Sequence, residues 1–134
     1  EIHREKMRDF SEKVGIAFQI KDDIFDYGTP NNIGKPTGID IREQKMTLPL
    51  IYALDHSPPS IKVELKNIVK NQNENSAKIK RATDIVIENG GIDYAYKIMK
   101  EYARDAISIL DNFPDSDAKE SLKSLVDYTM NREK

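Results

Sequence analysis

Helical periodicity is the feature that most limits what this chain can fold into. Between Arg4 and Tyr27 the sequence contains no proline and a single glycine, and apolar residues recur every three or four positions. Such spacing is typical of an amphipathic helix. β-branched residues alternate with polar ones for no more than a few positions at a time, so strands are not predicted. The sequence therefore predicts an all-α protein, a helical bundle that forms a single helical domain over residues 1–134.

The same periodicity, interrupted by turn residues, predicts five further helices. Residues 28–40 hold three glycines and two prolines and are expected to form an irregular loop. Pro49 lies inside the second predicted helix and should either kink it or mark its start. Ser57 or Ser60 is expected to cap the third helix, and Ser76 the fourth. The six predicted helices span residues 4–27, 42–54, 57–71, 76–89, 92–112 and 117–132.

Composition excludes several classes of protein. The chain has 21 Lys and Arg against 23 Asp and Glu, a net charge of −2, which argues against a nucleic-acid-binding protein. It has no cysteine, so a disulfide framework, a thiolate zinc site and a cysteine nucleophile are excluded. No apolar run approaches the ~20 residues that cross a bilayer. We therefore expect a cytoplasmic protein without a membrane span.

Four polar residues share one face near the end of the first predicted helix. They stand at positions i, i+3, i+4 and i+7, within an arc of roughly 100°, and they are Gln19, Asp22, Asp23 and Asp26. Three carboxylates at close quarters raise one another's pKa, and a hard divalent cation such as Mg²⁺ relieves that repulsion. An acidic, hydrated helix end before a turn is the alternative interpretation.

The residues around these acids are mostly apolar, which predicts that the first helix lies deep in the fold. Its large apolar side chains should pack against the later helices; they are Phe10, Val14, Phe18 and Phe25.

Two familiar ion-binding and phosphate-binding motifs are excluded at this point of the chain. An EF-hand loop needs oxygen-bearing residues at alternate positions, and Ile24 breaks that spacing. A Walker loop needs glycine five positions before Gly34 and a hydroxyl residue after Lys35. Those positions hold Thr29 and Pro36.

Two lysines follow the acids within a short stretch of sequence. Lys35 lies on the glycine-containing loop and Lys45 follows the start of the next predicted helix. Either lysine alone would be interpreted as an ordinary surface residue. Carboxylates that hold Mg²⁺, followed by lysines that neutralise the remaining charge, nevertheless form a chemically sensible diphosphate site.

Three ordered segments resemble the trans-polyprenyl diphosphate synthase family, the polyprenyl synthetases. Residues 15–27 (GIAFQIKDDIFDY) resemble the region of that family's second aspartate-rich motif. Residues 34–40 (GKPTGID) and 43–50 (EQKMTLPL) are similar to the two motifs that follow it. The family's first aspartate-rich motif has no counterpart here. The resemblance thus implies the C-terminal portion of an isoprenoid-synthase fold, a fragment of a larger synthase domain.

The resemblance also implies a reaction and its main residues. Such enzymes elongate an allylic diphosphate with isopentenyl diphosphate and depend on Mg²⁺. Asp22 matches the direct metal ligand, and Asp23 and Asp26 match supporting acids that act through water. Lys35 and Lys45 match catalytic lysines that contact the allylic diphosphate.

Further substrate-binding positions follow from the same resemblance, and they are Phe18, Gln19, Asp40 and Arg132. Phe18 would line the apolar end of the site, Asp40 would orient a metal-bound water, and Arg132 would close over isopentenyl diphosphate. The resemblance implies a homodimer when the enzyme has full length, and an N-terminal half that this chain lacks. The isolated chain is therefore expected to be inactive. The alternative is a non-catalytic helical subunit or scaffold that retains the acidic motif.

Overall fold

The computed structural model describes residues 2–28 and 37–131, and within these ranges every regular element is an α-helix. The all-α prediction is confirmed. The helices are α1 (Ile2–Phe25), α2 (Ile39–Arg42), α3 (Leu48–His56), α4 (Pro59–Asn71), α5 (Ser76–Glu88), α6 (Gly91–Leu110) and α7 (Asp117–Asn131).

The second predicted helix, over residues 42–54, is wrong as a single element. The structure has two helices there, α2 and α3, and Pro49 lies in the first turn of α3 and marks its start. Between them Gln44 adopts a φ of 59°, which a helix cannot accommodate. The Gln44 side-chain amide donates to the backbone oxygens of Val69 and Lys70, at 3.0 and 3.2 Å. These hydrogen bonds to the end of α4 stabilise the non-helical backbone between α2 and α3.

Two predicted helix caps also differ from the observed ones. The residue before α4 is Pro58, which has no side-chain cap, and the hydroxyl of Ser57 donates to the carbonyl of Ala53. The α5 cap is Asn75 rather than Ser76, and its side chain accepts from the backbone N–H of Lys78 at 3.2 Å. Asn is at least as good a cap as Ser, and both stand at this helix start.

The chain divides into two compact units, and the prediction of one domain over residues 1–134 stays a prediction. The first unit comprises the described residues up to 21 and from 97 onward. Within it, the ring centroids of His3 and Phe113 lie 4.9 Å apart, and Lys13 lies over the ring of Tyr102. The buried apolar side chains of this unit are Phe10, Ala17, Ile20, Met99, Ala103, Ala106, Leu110, Val126 and Met130.

The second unit comprises the described residues between 22 and 96. In it, α3, α4 and α5 pack on one another and α2 packs on α5. Its core is made of aliphatic side chains together with Tyr27, and consists of Tyr27, Ile41, Leu50, Ala53, Leu65, Ile68, Val69, Ile79, Ala82, Ile85 and Val86.

Gly38 lies against this core. Its φ is +73°, and a Cβ added to it would lie 2.5 Å from Cγ2 of Ile79. The chain therefore enters α2 in close contact with α5, and only glycine fits there without strain.

Candidate active site

Three aspartates lie where α1 ends, as the sequence predicts. Asp22 and Asp23 belong to the last turn of α1, and Asp26 follows it, with its backbone N–H donating to the carbonyl of Asp22 at 3.3 Å. All three are half-buried. The end of a helix is thus the element that presents these carboxylates.

Asp26 connects this helix end to α2. Its Oδ1 accepts the backbone N–H of Ile39 at 3.1 Å, and its Oδ2 accepts the N–H of Asp40 at 3.0 Å. The backbone carbonyl of Asp26 accepts the N–H of Gly38 at 2.9 Å. Three hydrogen bonds therefore hold the start of α2 on a single residue.

This connection places two of the predicted site residues near Asp26: Asp40 directly, and Lys45 through Asp40. Asp40 is half-buried, and its backbone oxygen accepts the N–H of Lys45 at 2.8 Å. The Lys45 ammonium lies 3.8 Å from Oδ1 of Asp40 and is 61% exposed. An ion pair this long and this exposed stabilises little, so the Lys45 ammonium is available to an anionic ligand.

Burial and like charge shape the electrostatics of the cluster. Burial raises the pKa of Asp26, the backbone N–H groups of Asp40 and Ile39 oppose that rise, and the charges of Asp40 and Asp23 add to it. Burial likewise raises the pKa of Asp40, and Lys45 opposes that rise. A cation placed among these groups would favour their ionised forms.

The donor set fits a hard cation only in part. Carboxylate oxygens are the ligands that Mg²⁺ prefers, and it keeps several waters in protein sites. Within residues 2–28 and 37–131, however, no three Asp, Glu, His or Cys side chains come together closely enough to hold a metal ion. Both oxygens of Asp26 already accept backbone N–H groups. Asp22, Asp23 and Asp26 thus supply carboxylate oxygens of the kind that Mg²⁺ prefers, and each oxygen of Asp26 retains an acceptor site beyond its backbone hydrogen bond.

The remaining predicted site residues fall into two groups. Lys35 and Arg132 lie outside the described residues. Gln19 and Phe18 are exposed near the end of α1 and belong to the first unit. The burial predicted for Phe18 is wrong, since the residue is 40% exposed, whereas Phe10 and Phe25 are buried as predicted and Val14 is partly buried. Phe18 stands about 200° around the helix from the buried Ile20, so the two cannot share a face.

Three buried polar groups close to the aspartates were not predicted from the sequence. Lys21 is 4% exposed, and its ammonium donates to the backbone oxygen of Met130 at 2.7 Å, at the end of α7. The hydroxyls of Tyr27 and Thr47 are buried, and neither meets hydrogen-bond geometry with another group in the described part of the chain. Burial raises the pKa of Tyr27, and the Thr47 hydroxyl opposes that rise. Lysine is normally exposed, so the sequence carries no signal for the burial of Lys21.

Comparison with known proteins decides the family. The profile of the family described as polyprenyl synthetase matches residues 1–86. The chain belongs to the polyprenyl synthetase family. It is 33% identical over 129 residues to solanesyl diphosphate synthase 1, chloroplastic, of Arabidopsis thaliana, an alignment that covers 96% of this chain and 30% of that enzyme.

Solved structures of polyprenyl synthetases agree with the fold. Geranylgeranyl pyrophosphate synthase from Bacteroides thetaiotaomicron shares 35% identity and a TM-score of 0.86, covering 99% of this chain and 42% of that one. Polyprenyl synthase from Caulobacter crescentus, complexed with calcium and isoprenyl diphosphate, shares 34% identity with this chain and gives a TM-score of 0.83. That match covers 96% of this chain and 39% of the Caulobacter crescentus chain. The chain therefore spans less than half the length of the relatives it matches. No helix in the described ranges is both long enough and apolar enough to cross a membrane.

Proposed function

We propose that this chain is the C-terminal part of a Mg²⁺-dependent prenyltransferase that elongates an allylic diphosphate with isopentenyl diphosphate. The observation that carries the proposal is the connection of Asp26 to α2, which holds Asp40 beside Asp26 and, through Asp40, Lys45 close by. Family membership supports it, and so does the Caulobacter crescentus enzyme, whose structure holds a divalent cation and isoprenyl diphosphate.

The proposed reaction breaks a C–O bond and a C–H bond, makes a C–C bond, and releases diphosphate and a proton. The C–O bond of the allylic diphosphate breaks, and diphosphate leaves with the electron pair. The double bond of isopentenyl diphosphate attacks the resulting carbocation and forms a C–C bond. A proton is then lost from the neighbouring carbon, which restores a double bond. Bound Mg²⁺ would neutralise the charge of the leaving diphosphate.

The residues of this chain take the following parts in the proposal. Asp22 is a direct metal ligand, and Asp23 and Asp26 support it through water. Lys35 and Lys45 donate to diphosphate oxygens, which holds the allylic substrate and stabilises the leaving group. Around them, Asp40 orients metal-bound water, Gln19 lies near the substrates, Phe18 lines their apolar end, and Arg132 closes over isopentenyl diphosphate.

Loss of the metal ligand tests the assigned roles in the longer synthase of which this chain is proposed to be a part. Asp22→Ala should lower turnover by several orders of magnitude, because it removes a ligand of the ion that stabilises the leaving group. Asp26→Ala should lower it less, and Asp55→Ala, at an exposed position of α3, should leave it unchanged. Near-normal turnover of Asp22→Ala at saturating Mg²⁺ would falsify the assignment.

The isolated 134-residue chain should not transfer prenyl groups, because the reaction needs two diphosphates held face to face. Losing one half of an oriented pair removes a proximity contribution of ~7–11 kcal/mol. The assay incubates the chain with Mg²⁺, isopentenyl diphosphate and farnesyl diphosphate, and detects longer prenyl alcohols after phosphatase treatment. Product above a no-protein control would contradict this proposal. Inactivity of the longer protein as well would favour a non-catalytic helical subunit.

Partners and location complete the proposal. The chain works together with an N-terminal half, and the full-length enzyme is a homodimer, which size-exclusion chromatography with light scattering checks. The cytoplasm is the proposed compartment, although the relative in Arabidopsis thaliana is chloroplastic. Cell fractionation of the tagged full-length protein distinguishes these locations.

A further inference from the structure

The start of α2 is capped by Asp26, the residue that directly follows α1. The N-cap position of α2 is Gly38, which makes no side-chain hydrogen bond. In an ordinary N-cap, the side chain of the cap residue accepts a backbone N–H of the first turn. Here the carboxylate of Asp26 performs that function from 13 and 14 positions away, with one oxygen on Ile39 and the other on Asp40.

This cap matters because α2 cannot hold its own position. The helix has four residues, and one helical turn is not stable in isolation. Two other contacts fix it from the core side, the buried side chain of Ile41 and the close approach of Gly38 to Ile79. On the side that faces the aspartates, the hydrogen bonds to Asp26 hold α2 in place.

A chain of hydrogen bonds continues from Asp26 toward the exposed lysine. Asp26 holds the N–H of Asp40, and the carbonyl of Asp40 holds the N–H of Lys45 at 2.8 Å. The backbone position of Lys45 therefore depends on the Asp26 carboxylate through two successive bonds. Displacement of α2 would move Asp40 and Lys45 together.

We infer that Asp26 is a positioning residue, which sets α2, and with it Asp40 and Lys45, for binding the allylic diphosphate. Its effect on the reaction runs through the backbone of residues 38–40 rather than through direct ligation of the metal. The kinetic part of this inference rests on the proposed function, whereas the structural part does not.

Amide hydrogen exchange of the 134-residue chain in EDTA tests the structural part without metal or substrate. In Asp26→Ala the amides of Ile39, Asp40 and Lys45 should exchange about 10-fold faster or more, since hydrogen bonds to a charged acceptor are lost. Asp26→Asn, which keeps one acceptor oxygen, should show a smaller increase. Asn75→Ala removes a helix cap elsewhere in the same unit and should speed exchange at Lys78 while leaving Asp40 unchanged.

Steady-state kinetics of the longer synthase test the functional part. Asp26→Ala should raise the KM for the allylic diphosphate by about 10-fold, because a mispositioned lysine holds a charged ligand less well. It should shift the Mg²⁺ concentration for half-maximal rate far less than the loss of a direct metal ligand does. Asp22→Ala should instead shift that Mg²⁺ requirement, and Asn75→Ala should change neither. Asp26→Asn, which is close in shape to the native residue, covers the case in which Asp26→Ala fails to fold.

The outcomes separate the two proposals. Unchanged exchange at Ile39 and Asp40 would overturn the positioning role. A raised Mg²⁺ requirement with an unchanged KM would overturn it too, because it would make Asp26 a metal ligand. Faster exchange in Asp26→Ala within a longer protein that makes no product would support the positioning of α2 and refute the proposed reaction.

Discussion

The close approach of Gly38 to Ile79 predicts a specific cost for Gly38→Ala. Its φ of +73° lies in the left-handed region, where a side chain costs ~1–2 kcal/mol. The new Cβ would also lie 2.5 Å from Cγ2 of Ile79, and overpacking of this kind costs ~1–3 kcal/mol. The substitution should therefore lower the free energy of unfolding by roughly 2–5 kcal/mol.

Gly90→Ala is the matched control that separates the two contributions. Gly90 has a φ of +83°, and the nearest atom to its added Cβ is Cε1 of Tyr52 at 3.6 Å, an ordinary contact. It lies in the same unit as Gly38. Gly90→Ala should therefore cost only the backbone strain, ~1–2 kcal/mol, and the difference between the two variants measures the steric clash.

Urea unfolding followed by circular dichroism measures both variants, and thermal unfolding gives a second reading. For a chain of 134 residues, an unfolding entropy of ~2.1 cal/mol/K per residue converts the ~1–3 kcal/mol clash into a difference of roughly 4–11 °C in Tm. If Gly38→Ala costs no more than Gly90→Ala, the contact with Ile79 does not constrain α2 and the reasoning fails.

Three further predictions concern sites away from the carboxylates. A Cβ added to Gly15 would have no atom within 4 Å apart from its sequence neighbours and the backbone of its own helix. Gly15→Ala in α1 should therefore raise the free energy of unfolding by ~0.5–1 kcal/mol in urea titrations, and a lower value would contradict that geometry. Lys119 is 8% exposed and donates to the carbonyl of Phe113 at 3.0 Å, so Lys119→Met should lower stability by ~1–3 kcal/mol, and an unchanged midpoint would argue against this bond. Arg81 donates to both carboxylate oxygens of Glu64 and lowers its pKa. The stabilisation from this pair is thus present above the usual pKa of 4.5 and lost as pH falls through the lower folded-state value. Arg81→Met should raise the Glu64 pKa toward 4.5 in NMR titrations, and an unmoved pKa would contradict the assignment.

The fold class could be predicted from the sequence because local patterns determine it. Apolar spacing and turn residues located α1, α4, α5, α6 and α7 to within a few residues at either end. The interruption between α2 and α3 could not be predicted in this way. It depends on Gln44, whose side chain bonds to Val69 and Lys70 at the end of α4, and on Asn73, whose side chain bonds to the carbonyl of Arg42. Contacts between residues so far apart leave no periodic signal.

The candidate site shows the same division. Helical spacing was enough to place Asp22 and Asp23 together, since both belong to α1. The resemblance to a family implied that Asp40 belongs to the site, and the hydrogen bond from the Asp40 N–H to the Asp26 carboxylate is what holds Asp40 there. The burial of Lys21 could not be predicted from the sequence. Its partner is the backbone carbonyl of Met130, and every residue has a backbone carbonyl, so no particular residue type marks this contact.

The division of the chain into two units has a consequence for its synthesis. The second unit is continuous in sequence, whereas the first joins residues up to 21 with residues from 97 onward. On the ribosome, α3, α4 and α5 can therefore form their core while the partners of the earlier part of α1 do not yet exist. At roughly 5–20 residues per second, the stretch from 97 to 131 takes roughly 2–7 s to be made.

During that interval Phe10, Ala17 and Ile20, which are buried in the finished protein, have no α6 or α7 to cover them. We expect the nascent chain to recruit chaperones at this stage through α1 rather than through the later helices. Ribosome-arrested chains of increasing length, treated with protease, should become protected first within residues 37–96 and only later within residues 2–21. Simultaneous protection of both segments would show that the units form together.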